Sequence, residues 1–351
     1  MKKYLLSLAM IICYTTITYA QDDLTETEEE QTSALTFSGS VDAYYRSNFG
    51  GDFNAAPGTS FANLPGFALG MANLVASQEG KNFGFTADLV FGPRGEDATF
   101  LSGTLRPADL LGGTSNSSSI LNQLYAYWNV SDAFTLTLGN FNTFLGYEVI
   151  SPTGNFNYST SYMFSYGPFS HTGLKADITL SEGFTLMAGV FNPTDATEYN
   201  PTNDYAGGLQ LGYESGGLGV WLNGLFSDGF SQFDITAGYD LSETIYVGLN
   251  ATTASDSFTG IAGYFQVAAS DALKLGLRAE SFTDKGAVYK AEDATEDVNI
   301  FNFTVSANYT VGSLTIIPEF RIDSFSEPVI PDGTDITDGL SSFVLAAVYG
   351  F

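Results

Sequence analysis

The chain has 351 residues, 39 acidic against 12 basic, and a formal net charge of −27. That balance excludes a nucleic-acid partner on electrostatic grounds. Aromatic residues at 15% exclude a disordered chain, and charged residues at 15% fall well below the roughly 25% usual in soluble domains.

Residues 1–20 read as a secretory signal peptide. Lys2 and Lys3 precede an apolar run, Leu5 to Cys13, and Thr18-Tyr19-Ala20 offers a small-residue cleavage site,. The run is too short to cross a bilayer as a helix. Ile11-Ile12 before Cys13 argues against a lipoprotein anchor. Cleavage after Ala20 removes the sole cysteine, and with it any disulfide or thiol chemistry. Residues 21–34 are acidic, polar and aperiodic, as expected of a disordered periplasmic tail.

Alternation begins at Leu35 and defines the third segment, 35–351. Phe37, Val41, Ala43 and Tyr45 share one face, and Ser40, Asp42, Tyr44 and Arg46 the other,. The zigzag recurs at Phe83–Phe91, at Phe233–Tyr239 against Asp234, and at Phe301–Tyr309. No later stretch holds 18 consecutive apolar residues, so no spanning helix is expected. A soluble sandwich would alternate as cleanly. The connections decide between them. Short turns near residues 131, 182, 216, 242, 271 and 313 alternate with longer polar segments at 49–66, 93–117, 143–169, 192–204, 283–297 and 325–338. Two on the long side, near Asp228 and Ser255, are short. That sorting matches the periplasmic and extracellular ends of an antiparallel up-and-down transmembrane β-barrel.

About sixteen strands fit the length, with fourteen or eighteen as alternatives. Pro318 lacks a ladder donor, so a local bulge is expected there. Tyr45, Phe91, Trp128, Phe134, Phe184, Tyr213, Tyr239 and Tyr309 suit interfacial girdles. Inward phase falls on Arg46, Lys175, Lys274, Arg278 and Arg321. Asp42, Asp88, Asp177, Asp234, Glu280, Glu319 and Asp323 share it, and the whole set is expected to line a lumen.

The closing strand, Phe343 to Phe351, ends on an aromatic with Tyr349 two residues before it. It resembles the last strand of bacterial outer-membrane barrels, which implies that Tyr349 and Phe351 form the signal read by the barrel-assembly machinery. Gly139-Asn-Phe, Gly146-Tyr-Glu148, Asn157-Tyr-Ser-Thr-Ser161 and Pro168-Phe-Ser-His-Thr-Gly173 resemble the outer-membrane β-barrel porin-2 family (OmpL-like). Thr160 stands where members of that family often carry arginine. The resemblance implies a porin in the outer membrane of a Gram-negative cell.

The function expected is passive diffusion of small polar solutes through a water-filled lumen, with outer-membrane lipid as surroundings. By analogy the third long loop, 141–169, turns inward, and Asn155, Asn157 and Tyr158 satisfy buried groups there. Arg46, Arg278 and Arg321 are then expected to face Glu148 across the narrowest point, unless they serve as ion pairs that hold the wall. The alternative is a non-transporting barrel that anchors surface loops for a partner or polysaccharide. A carrier of hydrophobic ligands fits poorly with the polar inward set. A homotrimer stays open, because nothing marks a subunit interface.

No enzyme, metal or cofactor is expected. His171 is the only histidine, and its neighbour Ser170 points to the opposite face of a strand. Asp332, Asp335 and Asp338 are spaced too widely for an EF-hand loop. They and Glu292, Asp293, Glu296 and Asp297 read as solvated loop acids.

Overall fold

The computed structural model describes residues 34–100, 117–200, 202–290 and 296–351. The expected leader, nearly all of the acidic tail, much of the second long loop, and Glu292 and Asp293 lie outside the described residues.

Sixteen antiparallel strands close into one barrel. In chain order they begin with β1 (Thr36–Asn48), β2 (Gly66–Gln78), β3 (Phe83–Phe91), β4 (Leu121–Ser131) and β5 (Phe134–Asn142). Next come β6 (Ser170–Ser181), β7 (Phe184–Phe191), β8 (Ala206–Ser215), β9 (Leu218–Ser227) and β10 (Phe230–Asp240). The wall continues with β11 (Ile245–Ala254), β12 (Phe258–Ala268), β13 (Leu273–Asp284), β14 (Val298–Val311) and β15 (Leu314–Phe325). A small hairpin, β16 (Ile330–Asp332) and β17 (Asp335–Thr337), sits in the last long loop before β18 (Gly339–Gly350). Two short helices, α1 (Pro93–Ala98) and α2 (Tyr162–Tyr166), lie in the second and third long loops.

Closure joins β1 to β18 from Ser40↔Gly350 to Asn48↔Ser342. Gly39 and Phe351 exchange both backbone hydrogen bonds, at 2.9 and 3.0 Å. Thus the last residue completes the ladder. No free edge remains, as a sheet in hydrocarbon requires, since each unpaired backbone group there costs several kcal/mol.

The expected two-sidedness is present. Phe67 is 93% exposed, Leu138 65% and Phe233 52%, all outward. Inward neighbours such as Asp42, Asp234, Arg278 and Glu319 are buried. Exposed rings on the outside and covered charges on the inside invert the soluble pattern, and lipid is the solvent that stabilises this arrangement. Rings near strand ends pair across strands, as in Phe184 with Tyr213 at 4.5 Å and Phe83 with Trp128 at 6.1 Å.

One local expectation needs correction. Pro318 causes no bulge. It pairs with Leu345 of β18, and the ladder to β14 lapses beside it, then resumes in unchanged register from Ser306↔Glu319 to Tyr309↔Ile316. Omitting one bond is enough to accommodate the missing donor. A shift appears instead between Val41 and Ala43, opposite the extra residue in β2. There Asp42 turns inward and accepts from Met71 N at 2.9 Å. A Cβ on Gly70 would lie 1.6 Å from the Asp42 carboxylate, so only glycine fits.

A charge placed on the outer face should be costly. Ile235→Lys, near the middle of β10, should lower stability in lipid vesicles by about 2–4 kcal/mol, measured by denaturant unfolding.

Candidate functional site

The loop between β5 and β6, residues 143–169, presents its backbone to charged side chains of the wall. Glu319 of β15 accepts from Tyr158 N (2.7 Å) and Ser159 N (3.0 Å). Glu280 of β13 accepts from Tyr162 N and Met163 N, both at 2.9 Å. These open α2, where the first amides have no partner within the helix. The Ser161 hydroxyl caps the same turn by accepting from Phe164 N at 3.1 Å,. Within the loop, Glu148 accepts from Ser161 N at 2.7 Å.

The carbonyls go to arginine. Arg94 of α1 donates to Tyr158 O (3.2 Å) and Ile150 O (2.8 Å). Arg278 donates to Ser159 O (2.8 Å) and Arg321 to Thr160 O (2.7 Å). Arg46 serves the first long loop in the same way, donating to Ala55 O (2.7 Å) and Asn63 O (2.9 Å). All four described arginines are at most 3% exposed. A guanidinium suits this task because its five donors can meet a carboxylate and a carbonyl together.

This geometry corrects the expected field across an opening. Arg278 touches Glu148 directly, at 2.5 Å. Arg321 pairs with Asp323 at 2.8 Å, and Arg46 bonds carbonyls only. No gap separates the opposed charges. The ion-pair reading describes Arg278 and Arg321, and Arg46 fits neither. The expected roles of wall and loop are also exchanged: wall charges satisfy the loop backbone. Asn155 bonds Val149 within its own loop, at 2.9 and 2.6 Å. Asn157 does reach the wall, donating to Ser306 at 2.7 Å.

Neutral donors hold most of the remaining inward acids and reinforce Asp323. The Tyr158 hydroxyl donates to Asp42 at 2.5 Å, and the Tyr162 hydroxyl to Asp323 at 3.0 Å. Burial first, then the adjacent carboxylate, pushes both phenols above their usual range, so they stay protonated donors. Asp234 gathers Gly146 N, Asn223, Asn250 and Thr252. Asp88 takes the amides of Asn73, Asn122 and Gln123. Lys175 pairs with Asp177 at 2.8 Å. Lys274 is exposed near a short turn.

The loop touches nearly opposite points of the wall. Tyr158 reaches β1, while Phe144 O accepts from Gln210 of β8 at 3.1 Å. Its apolar side chains join four buried clusters, with Tyr158, Met163, Phe164 and Leu145 contributing one to each. Cavities remain beside it. One of about 390 Å³ adjoins Tyr147, Phe156, Trp221 and Tyr246. Another, about 380 Å³, runs along β4–β6 past Tyr125, Tyr127 and Lys175.

A family model described as beta-barrel porin-2, OmpL-like, matches residues 34–351. The chain belongs to that family. This porin-2 barrel is an outer-membrane protein. Among solved structures it resembles the trimer form of OmpT, an outer membrane protein of Vibrio cholerae, with a TM-score of 0.59 and 13% identity over 91% of this chain and 99% of that one. It resembles Salmonella typhi OmpF in complex with daunomycin at 0.59 and 12%, covering 90% and 97%. An anion-selective porin from Comamonas acidovorans matches at 0.55 and 9%, covering 92% and 100%. At such identities the likeness is one of fold. No curated protein matches in sequence.

Other candidate chemistry is not assembled among the described residues of this porin-2 barrel. His171 is 1% exposed and meets Thr143 at 2.9 Å, while Ser170 N donates to Asp195 at 2.8 Å. No group of three metal-ligating side chains occurs there. Sequence reasoning missed Arg94 and the inward turn of the first loop, where Phe61 is 2% exposed beneath Arg94 at 4.3 Å. The available signal was the presence of Arg94 and Phe61 in segments otherwise read as polar.

Removing one partner of the buried pair should expose its role. Glu148→Ala leaves the Arg278 charge unpaired and should cost about 3–5 kcal/mol by denaturant unfolding. Adding Arg278→Met should recover part of that loss.

Proposed function

We propose that the barrel is a non-enzymatic channel for passive diffusion of small polar solutes, narrowed by residues 143–169. The observation that carries this reading is the capture of five loop amides, at 158, 159, 161, 162 and 163, by three carboxylates. A loop held that firmly inside a barrel sets the bore. Water then occupies the side lined by β4–β12, where both cavities lie. Pairing inside the constriction leaves little unbalanced charge to select ions. Tyr349 and Phe351, outward and exposed at the closing seam, are proposed as the assembly signal. A trimer is proposed by analogy with the Vibrio protein, and chemical cross-linking in membranes tests it.

A second reading has its own support. Contacts from β1 to β8 favour a plug that closes the barrel and leaves it an anchor for surface loops. Liposome swelling separates the two. The channel reading expects swelling in small sugars and ion conductance in planar bilayers, both increased by shortening the loop between residues 149 and 166. No conductance from the native chain, with conductance only after shortening, would establish the plug.

A further inference from the structure

The larger cavity has a wall built in an unusual way. At five inward positions on neighbouring strands the residue is glycine, and an aromatic ring rests where a side chain would stand. A Cβ on Gly238 would meet the end of Tyr246 at 2.3 Å, and one on Gly248 would meet Tyr147 at 2.7 Å. One on Gly276 would meet Phe156 at 2.3 Å. Trp221 covers Gly219 (2.5 Å) and shares Gly212 (3.0 Å) with the Thr185 hydroxyl (2.4 Å). Several ring atoms lie at similar distance in each case, so the rings lie against the wall. Tyr147 is in turn stacked on Tyr264 at 4.0 Å, and Trp221, Tyr246 and Phe156 line the cavity beside them.

Between the rings stand polar groups with hydrogen-bonding capacity to spare. The Tyr246 hydroxyl accepts from Tyr147 at 2.9 Å, which leaves its own proton free. Thr236 is 6% exposed, yet its hydroxyl is absent from the sealed and unpartnered atoms, so it opens onto the cavity. Among the described residues the Gln266 amide and the Trp221 indole N–H have no protein partner. Charge is spent. Glu148 is the only ionised group in the lining, and Arg278 and Ser161 N already hold it.

We propose that this cavity binds a neutral mono- or disaccharide, its ring faces stacked on Trp221 and Tyr246 and its hydroxyls bonded by Gln266, Thr236 and the Tyr246 hydroxyl. Flat π faces match the C–H faces of a pyranose. Neutral donors and acceptors match its hydroxyls, and a cavity of about 390 Å³ is of a size for small ligands. A charged solute would meet no counter-charge here and would lose hydration without return. The inference deepens the channel reading by naming a solute class, and its test is independent of conduction.

The chain has two tryptophans, so Trp128→Phe leaves Trp221 as the sole reporter. The full-length variant is titrated in detergent with maltose, and with gluconate as a charged comparison. Maltose should change Trp221 emission saturably, and gluconate should not. Gln266→Ala should weaken the maltose response roughly tenfold, the scale of one lost hydrogen bond. Folding is checked by heat-modifiable migration, and Thr236→Val replaces Gln266→Ala should the latter fail to fold. A flat response to maltose, an equal response to gluconate, or an undiminished response in the folded variant overturns the proposal. A barrel that conducts ions yet leaves Trp221 unchanged keeps the channel and loses the sugar site. One that binds maltose without conducting does the reverse.

Discussion

Backbone amides and carbonyls removed from water must find partners, and this requirement organises the interior of the barrel. The strands meet it through their closed ladder. The third long loop cannot, because it lies among side chains with no strand beside it. Its donors at 158, 159 and 161–163 go to Glu148, Glu280 and Glu319, and its carbonyls at 158, 159 and 160 to Arg94, Arg278 and Arg321. Glu280 and Glu319 each present two oxygens to adjacent amides, Glu148 divides its oxygens between Ser161 N and Arg278, and each guanidinium forks between a carbonyl and another acceptor. Arg278 with Glu148 and Arg321 with Asp323 are compensated directly where they are buried,, while Arg94 and Arg46 are held by carbonyls.

This arrangement divides the lumen. Toward β13–β18 and β1 the space is filled by α2, by Tyr158 and by the first loop, with apolar contacts closing around the charged grips. Toward β4–β12 the wall carries amides, hydroxyls and flat rings, and the cavities are found there. The two halves follow from one economy. With few basic residues in the chain, the described arginines are all committed to fixing loops, and the remaining acids Asp88 and Asp234 must be held by amides and hydroxyls instead.

The wall was legible from the sequence because the bilayer imposes a period of two on every segment, and because short and long connections sort by end. Sixteen strands, the outward girdle and the inward charges followed from those signals. The Gly70 bulge did not, since its cause is a carboxylate on the neighbouring strand. Nor did the partners of the charges. Phase placed Arg278 inside and the loop analogy brought Glu148 there, but 130 residues separate them, and nothing local says whether they face each other across water or touch. The inward glycines carried a readable hint. A missing side chain on a lumen face implies that another group lies over it.

The most direct test of the central claim is hydrogen exchange at the loop amides. With the full chain in detergent or nanodiscs, exchange at Tyr158, Ser159, Ser161, Tyr162 and Met163 is followed against strand amides of β13 and β15. Protection comparable to those strands is predicted, because buried carboxylates of the wall and of Glu148 hold the protons. Exchange at the pace of an open surface loop would contradict it, and would release residues 143–169 from the interior.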